Sequence, residues 1–533
     1  MNFQSLDLSS FSSMESLASL QKEQWAPVVS IAAAAGLAVY ALSTANKSNS
    51  ATPKGYKEIP VAEGRLPYFG HLLSLGDVPA LKITEMQQRH GPIMRIYMGV
   101  QPWVMISDPL IAHEIFMTKG SITSGRPFQL YTHNYYSINQ RGVAFPNPGK
   151  RWKKTRTAAL DILAPKNVDK FSPILHHEAD FIVKHLLSAT IANGHVEVIK
   201  PFQAAAMNVV LTTSLGKRAT SLQDPLFQDI IGIVDQGMKW AGAAEDMSTF
   251  LPILTFLDVI HRKERRMKDF IEKRRNPLFR RLIKESLEGD AHCLVKSLYE
   301  CKEEFDLDED AILVTINDII AAGADTIAVS LSWAMVILCH HPDVQQKLRD
   351  EVDAFIKVHN RLPNFDERDS LPYLISVQKE CLRFRPTTPF GLLHEATEDL
   401  ECRGYFIPQG TVLASNMYAM HWDPEVYPEP EKFIADRFMN NTKTMYASAN
   451  SRIENRDHYN FGWGRRICPG IHLAEVQMYN VMVRVIARSV IAPVLDSKGS
   501  PVLPDLNGAR DAGLVLQPPT DDVRFLERTD ALI

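Results

Sequence analysis

The stretch FGWGRRICPG, Phe461 to Gly470, sets three glycines and a proline around one cysteine, with two arginines just before it. Gly462 and Gly464 permit a tight turn that folds backbone N–H groups toward the sulfur of Cys468. Pro469 follows, and proline is favoured at the first position of a helix. The run GIHLAEVQMYNVMVRVIA that comes next has helical periodicity, which places Cys468 as the cap of a helix N-terminus. There the helix dipole and free N–H groups favour thiolate over thiol. A buried thiolate held in this way, with no second cysteine beside it, points to a metal ligand rather than a nucleophile.

Outward from this loop, the chain limits what such a ligand can serve. Its 533 residues allow either several domains or one large core. With 45% hydrophobic residues, 23% charged residues and a net charge of -4, nothing suggests nucleic-acid binding. The six cysteines (Cys293, Cys301, Cys339, Cys381, Cys402 and Cys468) form no C-x-x-C pair, so neither a disulfide framework nor a zinc site is indicated. A reducing compartment suits the folded part.

Near the N-terminus, Trp25 to Leu42 carries no charge over 18 residues, at the lower edge of what spans a bilayer as a helix. A signal peptide or a matrix-targeting sequence are the competing readings. The first arginine is Arg65, against a transit peptide, and a cleaved signal would export a chain without a disulfide pattern. Lys47, Lys54 and Lys57 follow the run and only Lys22 precedes it, so the bulk belongs on the cytosolic side. The expected organisation is a lumenal segment over 1–24, a transmembrane anchor over 25–42, a linker over 43–57 and a catalytic body over 58–533. That body reads as mainly α, with a hairpin within Ile93 to Ile106 turning at Gly99 to Pro102, and a second β-prone patch from Leu400 to Asn416.

Polar groups interrupt three helical patterns. Ala311 to Cys339 is 29 residues, follows the acidic cluster Asp306 to Asp310 and stops before Pro342. It is apolar nearly all round, as an interior helix should be. Asp325 within it is costly to bury without a partner or solvent. Thr326 can return its hydroxyl to the carbonyl of Ala322, and Ala322 with Gly323 leaves a gap where something can approach the backbone. A proton-delivery groove and a kinked helix with a satisfied Asp both fit. Glu380 and Arg383 share a helical face at i,i+3, which alone reads as a weak surface pair. Trp152 and Arg156, at i,i+4, present an indole N–H and a guanidinium suited to a carboxylate. The lysines and arginine around them, Lys150, Arg151, Lys153 and Lys154, read as a solvated basic face or a docking patch.

Taken together these elements resemble the cytochrome P450 family. Phe461, Gly462, Gly464, Arg466, Cys468 and Gly470 fill every fixed position of its haem-binding loop. W-x-x-x-R at Trp152 and Arg156, A-G-x-D-T at Ala322 to Thr326, E-x-x-R at Glu380 and Arg383, and F-x-x-x-R-F at Phe433, Arg437 and Phe438 fall in the family's order. Ala435 stands where the family usually has proline, and Ile327 where a second hydroxyl often follows the threonine.

The resemblance implies the P450 fold and a microsomal, fungal-type monooxygenase anchored in the endoplasmic reticulum membrane. It implies haem b (iron protoporphyrin IX) on the Cys468 thiolate, propionates held by Trp152, Arg156, His394 and Arg466, and protons delivered by Asp325 and Thr326. Glu380, Arg383 and Arg437 are implied as a structural ion-pair network. Electrons would come from NADPH through cytochrome P450 reductase, with cytochrome b5 as an optional second donor, docking near Lys153, Lys154 and Arg465. The pocket segments Phe128 to Phe145, Ile320 with Ala321, and Thr387 to Leu393 fit a small lipophilic substrate such as a steroid or terpenoid, in secondary or xenobiotic metabolism. Two other readings are a reductase-independent haem-thiolate isomerase or dehydratase, which has little need of Asp325 and Thr326, and a non-catalytic haem sensor.

Overall fold

The structure, a computed structural model, describes Gly36 and residues 52–242 and 247–533. The expected anchor over 25–42 lies outside the described residues apart from Gly36, as do the whole of 1–24 and the linker up to residue 51.

Among the described residues, ten α-helices of twelve residues or more set the frame used here: α1 Pro79–His90, α2 Lys150–Ile162, α3 Ser172–Asn193, α4 Ile199–Leu215, α5 Pro225–Ala241, α6 Asn276–Glu288, α7 Glu309–His340, α8 Pro342–His359, α9 Pro372–Phe384 and α10 Ile471–Arg488. The long α7 starts where its acidic cluster allows a cap: the Asp308 carboxylate accepts from the Ala311 N–H at 2.7 Å. It ends at the His341–Pro342 step, because proline cannot follow within the same helix. Among the described helices α7 is the one long and apolar enough to cross a membrane, yet 72% of its most apolar window is buried inside the protein. It is a core helix. α4 packs along it, α9, α10 and α2 meet it on other sides, and α3 closes over α10.

The sheet component is small. Ile93–Met98 and Gln101–Ile106 pair antiparallel as the expected hairpin, but through the two-residue turn Gly99–Val100 rather than Gly99 to Pro102, since Gln101 and Pro102 already pair with Met98 and Tyr97. Val412–Ser415 adds parallel to the second strand, and His394–Glu395 pairs antiparallel with Val412–Ser415. The side-chain period of two sorts the hairpin residues: Val104 and Ile106 join one apolar cluster, Trp103 and Met105 the other. The Leu400 to Asn416 patch resolves into a tight hairpin, Leu400–Cys402 with Tyr405–Ile407, followed by the strand that enters the main sheet. That sheet carries His394 to the edge of the site.

Candidate active site

A cavity of about 360 Å³ lies against the middle of α7 and the loop before α10. Its walls are mostly apolar, with Val210, Ile233, Ala321, Ile327 and Leu392 among them. Of the residues singled out in the sequence, Ala322, Gly323, Thr326, Arg156, His394, Phe461, Gly462, Arg466, Cys468 and Gly470 line it. Trp152, Asp325 and Gly464 stand behind that lining, and Glu380, Arg383 and Arg437 are elsewhere.

The cysteine loop is closed by the Cys468 N–H donating to the Phe461 carbonyl at 2.9 Å and by the Ile467 N–H donating to Gly464 at 3.1 Å. Gly462 and Gly464 have φ of 73° and 47°, a region that side chains disfavour. At Gly464 there is a second demand, since a Cβ there would fall 2.5 Å from the Phe116 carbonyl oxygen. The helix starts later than the sequence suggests. α10 begins at Ile471 with Gly470 as its cap, which puts Cys468 two residues ahead of that cap and Pro469 outside the helix. The expected gain for the thiolate is outweighed as well: burial raises the Cys468 thiol above its ordinary range, and the Gly470 N–H and Arg156 only partly oppose this. The sulfur therefore needs a cation beside it to ionise readily.

Around the sulfur the charge is one-sided. Arg156, Arg466 and Arg126 are all buried on this cavity, and none of them pairs with a carboxylate among the described residues. Arg466 donates to the carbonyls of Ser124 at 3.0 Å and Pro146 at 2.6 Å and lies over the Trp152 ring at 4.1 Å. Arg126 donates to the carbonyls of Ala144, Leu392 and Leu393 at 2.7 to 3.0 Å. Arg156 bonds the Ile467 carbonyl in the cysteine loop. Burial pushes Arg126 down to about 9, and burial together with Arg126 and Arg156 pushes Arg466 down to about 7. A guanidinium does not surrender its proton so readily, and the cluster is better satisfied by an anion. The Trp152 N–H, expected to face that anion, instead donates to the Val143 carbonyl at 3.1 Å, and its ring supports Arg466. His394 is buried beside the cluster with its Nδ1 2.8 Å from the Thr123 carbonyl. Arg465, next to Arg466 in sequence, is exposed.

On α7, the Thr326 hydroxyl donates to the Ala322 carbonyl at 2.7 Å. Asp325 turns the other way and accepts from the Gln203 amide of α4 at 2.8 Å. Burial raises it to about 6, with Asp235 adding to the rise and Lys200 opposing it. Lys200 and Asp235, the two charges that act on this carboxyl, are both exposed. The gap beside Gly323 is taken by the protein itself: a Cβ there would sit 2.4 Å from Val210, and the close approach is that of α4.

Glu380 and Arg383 are fully buried, against the surface-pair reading. Arg383 donates to Glu380 at 2.7 and 2.8 Å and to the carbonyls of His421 and Pro430, while Arg437 reaches the same carboxylate at 3.1 Å. Three groups on the site escaped sequence reasoning. Arg126, in SGRPF, is signalled only by a lone arginine before proline in an apolar context. Gln203 sits in a near-apolar helix, and Asn317 with Asp318 forms a polar pair on α7 whose role no spacing reveals.

Comparison with known proteins accords with this geometry. The family described as Cytochrome P450 matches residues 60–523. The chain is 27% identical over 507 residues to cytochrome P450 monooxygenase 58 of Postia placenta, covering 94% of this chain and 93% of that one. Over 468 residues it is 25% identical to cytochrome P450 1A1 of Platichthys flesus, covering 84% and 87%. A solved structure of a zebrafish cytochrome P450 with progesterone superposes with a TM-score of 0.70 at 25% identity, covering 84% of this chain and 99% of that one.

Proposed function

This chain belongs to the cytochrome P450 family and is a monooxygenase of that family, and from that premise we propose how its own residues carry the reaction. The family's cofactor is a haem thiolate. The residues present suit it: one thiol lines a cavity together with three buried arginines that lack an acid among the described residues, and a haem brings both a metal and two carboxylates. That coincidence of Cys468 with Arg126, Arg156 and Arg466 carries the reading.

Cys468 is the residue that would ligate the iron of haem b, which would supply the positive charge its buried thiolate needs. Arg156, Arg466 and Arg126, with His394, hold the propionates, and Trp152 keeps Arg466 in place through its ring. Bound there, haem supplies the chemistry that activates O2 for insertion into a C–H bond. Thr326 holds a proton at the cavity wall, Asp325 passes protons to it, and Lys200 with Asp235 connects Asp325 to solvent. Glu380, Arg383 and Arg437 fix the meander that backs the cysteine loop.

Electrons come from NADPH through a membrane-bound reductase, with cytochrome b5 as a further donor. Lys153, Lys154 and Arg465 are exposed, which supports a basic docking face on the side of the cysteine loop. Lys154 lies 3.4 Å from Asp306, so Lys153 and Arg465 carry most of that face. The endoplasmic reticulum membrane is the proposed location of the body of 58–533, with the apolar run 25–42 of the sequence as its proposed anchor. The substrate is lipophilic, of the steroid or terpenoid class, a reading supported by the apolar cavity and by the progesterone in the zebrafish relative.

The test is reconstitution of the haem-loaded protein with reductase and NADPH, with steroids, terpenoids and fatty acids titrated against the haem spin state. Oxygenated product dependent on NADPH and reductase is expected. Haem spectra without such product would favour a sensor, and turnover of organic peroxides alone an isomerase or dehydratase. A spin-state response to fatty acids only would end the steroid and terpenoid assignment.

A further inference from the structure

The cysteine loop rests on a second sulfur, one that the reaction itself does not use. The Gly464 N–H donates to the thioether sulfur of Met117 at 3.2 Å. A thioether is a weak acceptor, so chemistry at that sulfur changes the bond strongly. Met117 lies in a π-helical turn, Glu114–Thr118, and packs against the apolar cluster that holds Tyr459 and Trp463. Such turns are rare and often mark functional positions. Among the described methionines, Met117, Met238, Met247 and Met439 alone are not buried, and of these only Met117 bonds the cysteine loop. Thr118 and Arg465, the sequence neighbours of the two partners, are exposed, so the contact lies close beneath the surface.

Neither partner has room to give. A Cβ on Gly464 would fall 2.5 Å from the Phe116 carbonyl oxygen and 3.4 Å from the Met117 Cα, so the two backbones already touch. Gly464 also opens the 3-10 turn Gly464–Arg466, and its carbonyl accepts from the N–H of Ile467, the residue before Cys468. An atom added to the Met117 sulfur therefore moves the turn that carries the cysteine.

Resting on the haem-thiolate reading above, we propose that Met117 is a site of reversible oxidation that switches the cysteine loop. Hydrogen peroxide gives one oxygen atom to the sulfur: the O–O bond breaks, an S–O bond forms, the sulfur is oxidised by two electrons and the rest of the peroxide leaves as water. The sulfoxide is polar where the thioether was apolar and larger where there is no free space, so it displaces Gly464 and, through the turn, Cys468. Methionine sulfoxide reductases restore the thioether and the loop with it.

Brief treatment of the haem-loaded protein with hydrogen peroxide tests this, with peptide mass spectrometry locating the added oxygen and the red-shifted ferrous carbonyl band reporting the thiolate. The band should be lost in proportion to Met117 sulfoxide and should return after incubation with the two methionine sulfoxide reductases, one for each epimer. Haem bleached by peroxide does not return, so the recovered fraction belongs to the methionine. Met117→Leu keeps the apolar contacts and cannot form a sulfoxide. Under the same treatment it should lose only the bleached fraction. Met117 left unoxidised overturns the proposal, as does an intact band on protein carrying Met117 sulfoxide, a loss that the reductases do not reverse, or an equal loss in Met117→Leu. Should Met117→Leu fail to hold haem, recovery in the unaltered protein alone decides. Absence of the band before any treatment defeats the haem-thiolate reading instead, so the two failures are distinct.

Discussion

The Asp325 carboxylate of α7 accepts a hydrogen bond from the Gln203 amide of α4 at 2.8 Å, facing away from the cavity that its neighbour Thr326 lines. Burial makes a carboxyl in that place a cost, and the proposed proton relay runs through it. In the folded chain it stays protonated up to about pH 6, while in the unfolded chain it ionises near 3.8. Between those values the folded state binds more protons, so stability falls as pH rises through the window and the loss is complete above it. Asp325→Asn retains an acceptor for Gln203 and removes the ionisation. Its stability relative to the unaltered protein should therefore climb from pH 4 to pH 7, by up to about 3 kcal/mol. NADPH-dependent product formation should fall on the order of a hundredfold with the haem spectrum unchanged. Denaturant titrations across pH and turnover assays read the two effects, and unchanged turnover would remove Asp325 from the relay.

The arginine cluster makes a prediction about cofactor retention. Arg126 is held by three carbonyls, which orient its charge without neutralising it. Arg126→Leu should speed transfer of haem to an excess of apomyoglobin by about tenfold or more, the loss of one charge-assisted contact. Arg126→Lys, which keeps the charge but not the planar fork, should fall between. Retention equal to the unaltered protein in Arg126→Leu would place the propionates elsewhere.

These cases show where sequence reading succeeds. The cysteine loop is legible because its chemistry demands residue types at fixed spacing: left-handed φ at Gly462 and Gly464, a sulfur at Cys468, an arginine at Arg466. The hairpin of Ile93 to Ile106 and the core character of α7 follow from periodicity, which is local. Arg126 and Gln203 are illegible for the opposite reason. Their importance arises from contacts across 266 and 122 residues, with Leu392 and Asp325, and nothing in the flanking residues encodes those partners. The Glu380 and Arg383 pair shows the intermediate case: spacing places them together, but only the packing of the meander decides that they are buried.

That burial sets the cost of breaking the pair. Glu380 receives both Arg383 and Arg437 and the Ile434 N–H at 3.0 Å. Glu380→Gln would leave the Arg383 charge buried and uncompensated, a loss of about 3 to 5 kcal/mol. Soluble haem-loaded yield should collapse, and what remains should unfold at much lower denaturant. Arg437→Lys lies at a partly exposed edge and keeps its charge, so its loss should be about 1 kcal/mol. Near-equal losses for the two variants would mean that the network is not centred on the buried pair.

The last prediction concerns the ligand. Among the six cysteines, Cys468 alone lines the cavity. Cys293, Cys381 and Cys402 are buried elsewhere with their thiols raised by burial, and Cys381 and Cys402 also face Glu380 and Glu114. Neither these three nor Cys301 and Cys339 line the cavity. Cys468→Ala should still fold, since the loop is closed through backbone groups of Phe461, Gly464, Ile467 and residue 468 itself. It should also still hold some haem, because Arg126, Arg156 and Arg466 remain. What it must lose is the red-shifted ferrous carbonyl band of a thiolate haem. Folding read by circular dichroism, haem content read by extraction and that band read by difference spectroscopy separate the three properties. A folded, haem-loaded Cys468→Ala that kept the band would transfer the ligand to another cysteine and undo the assignment.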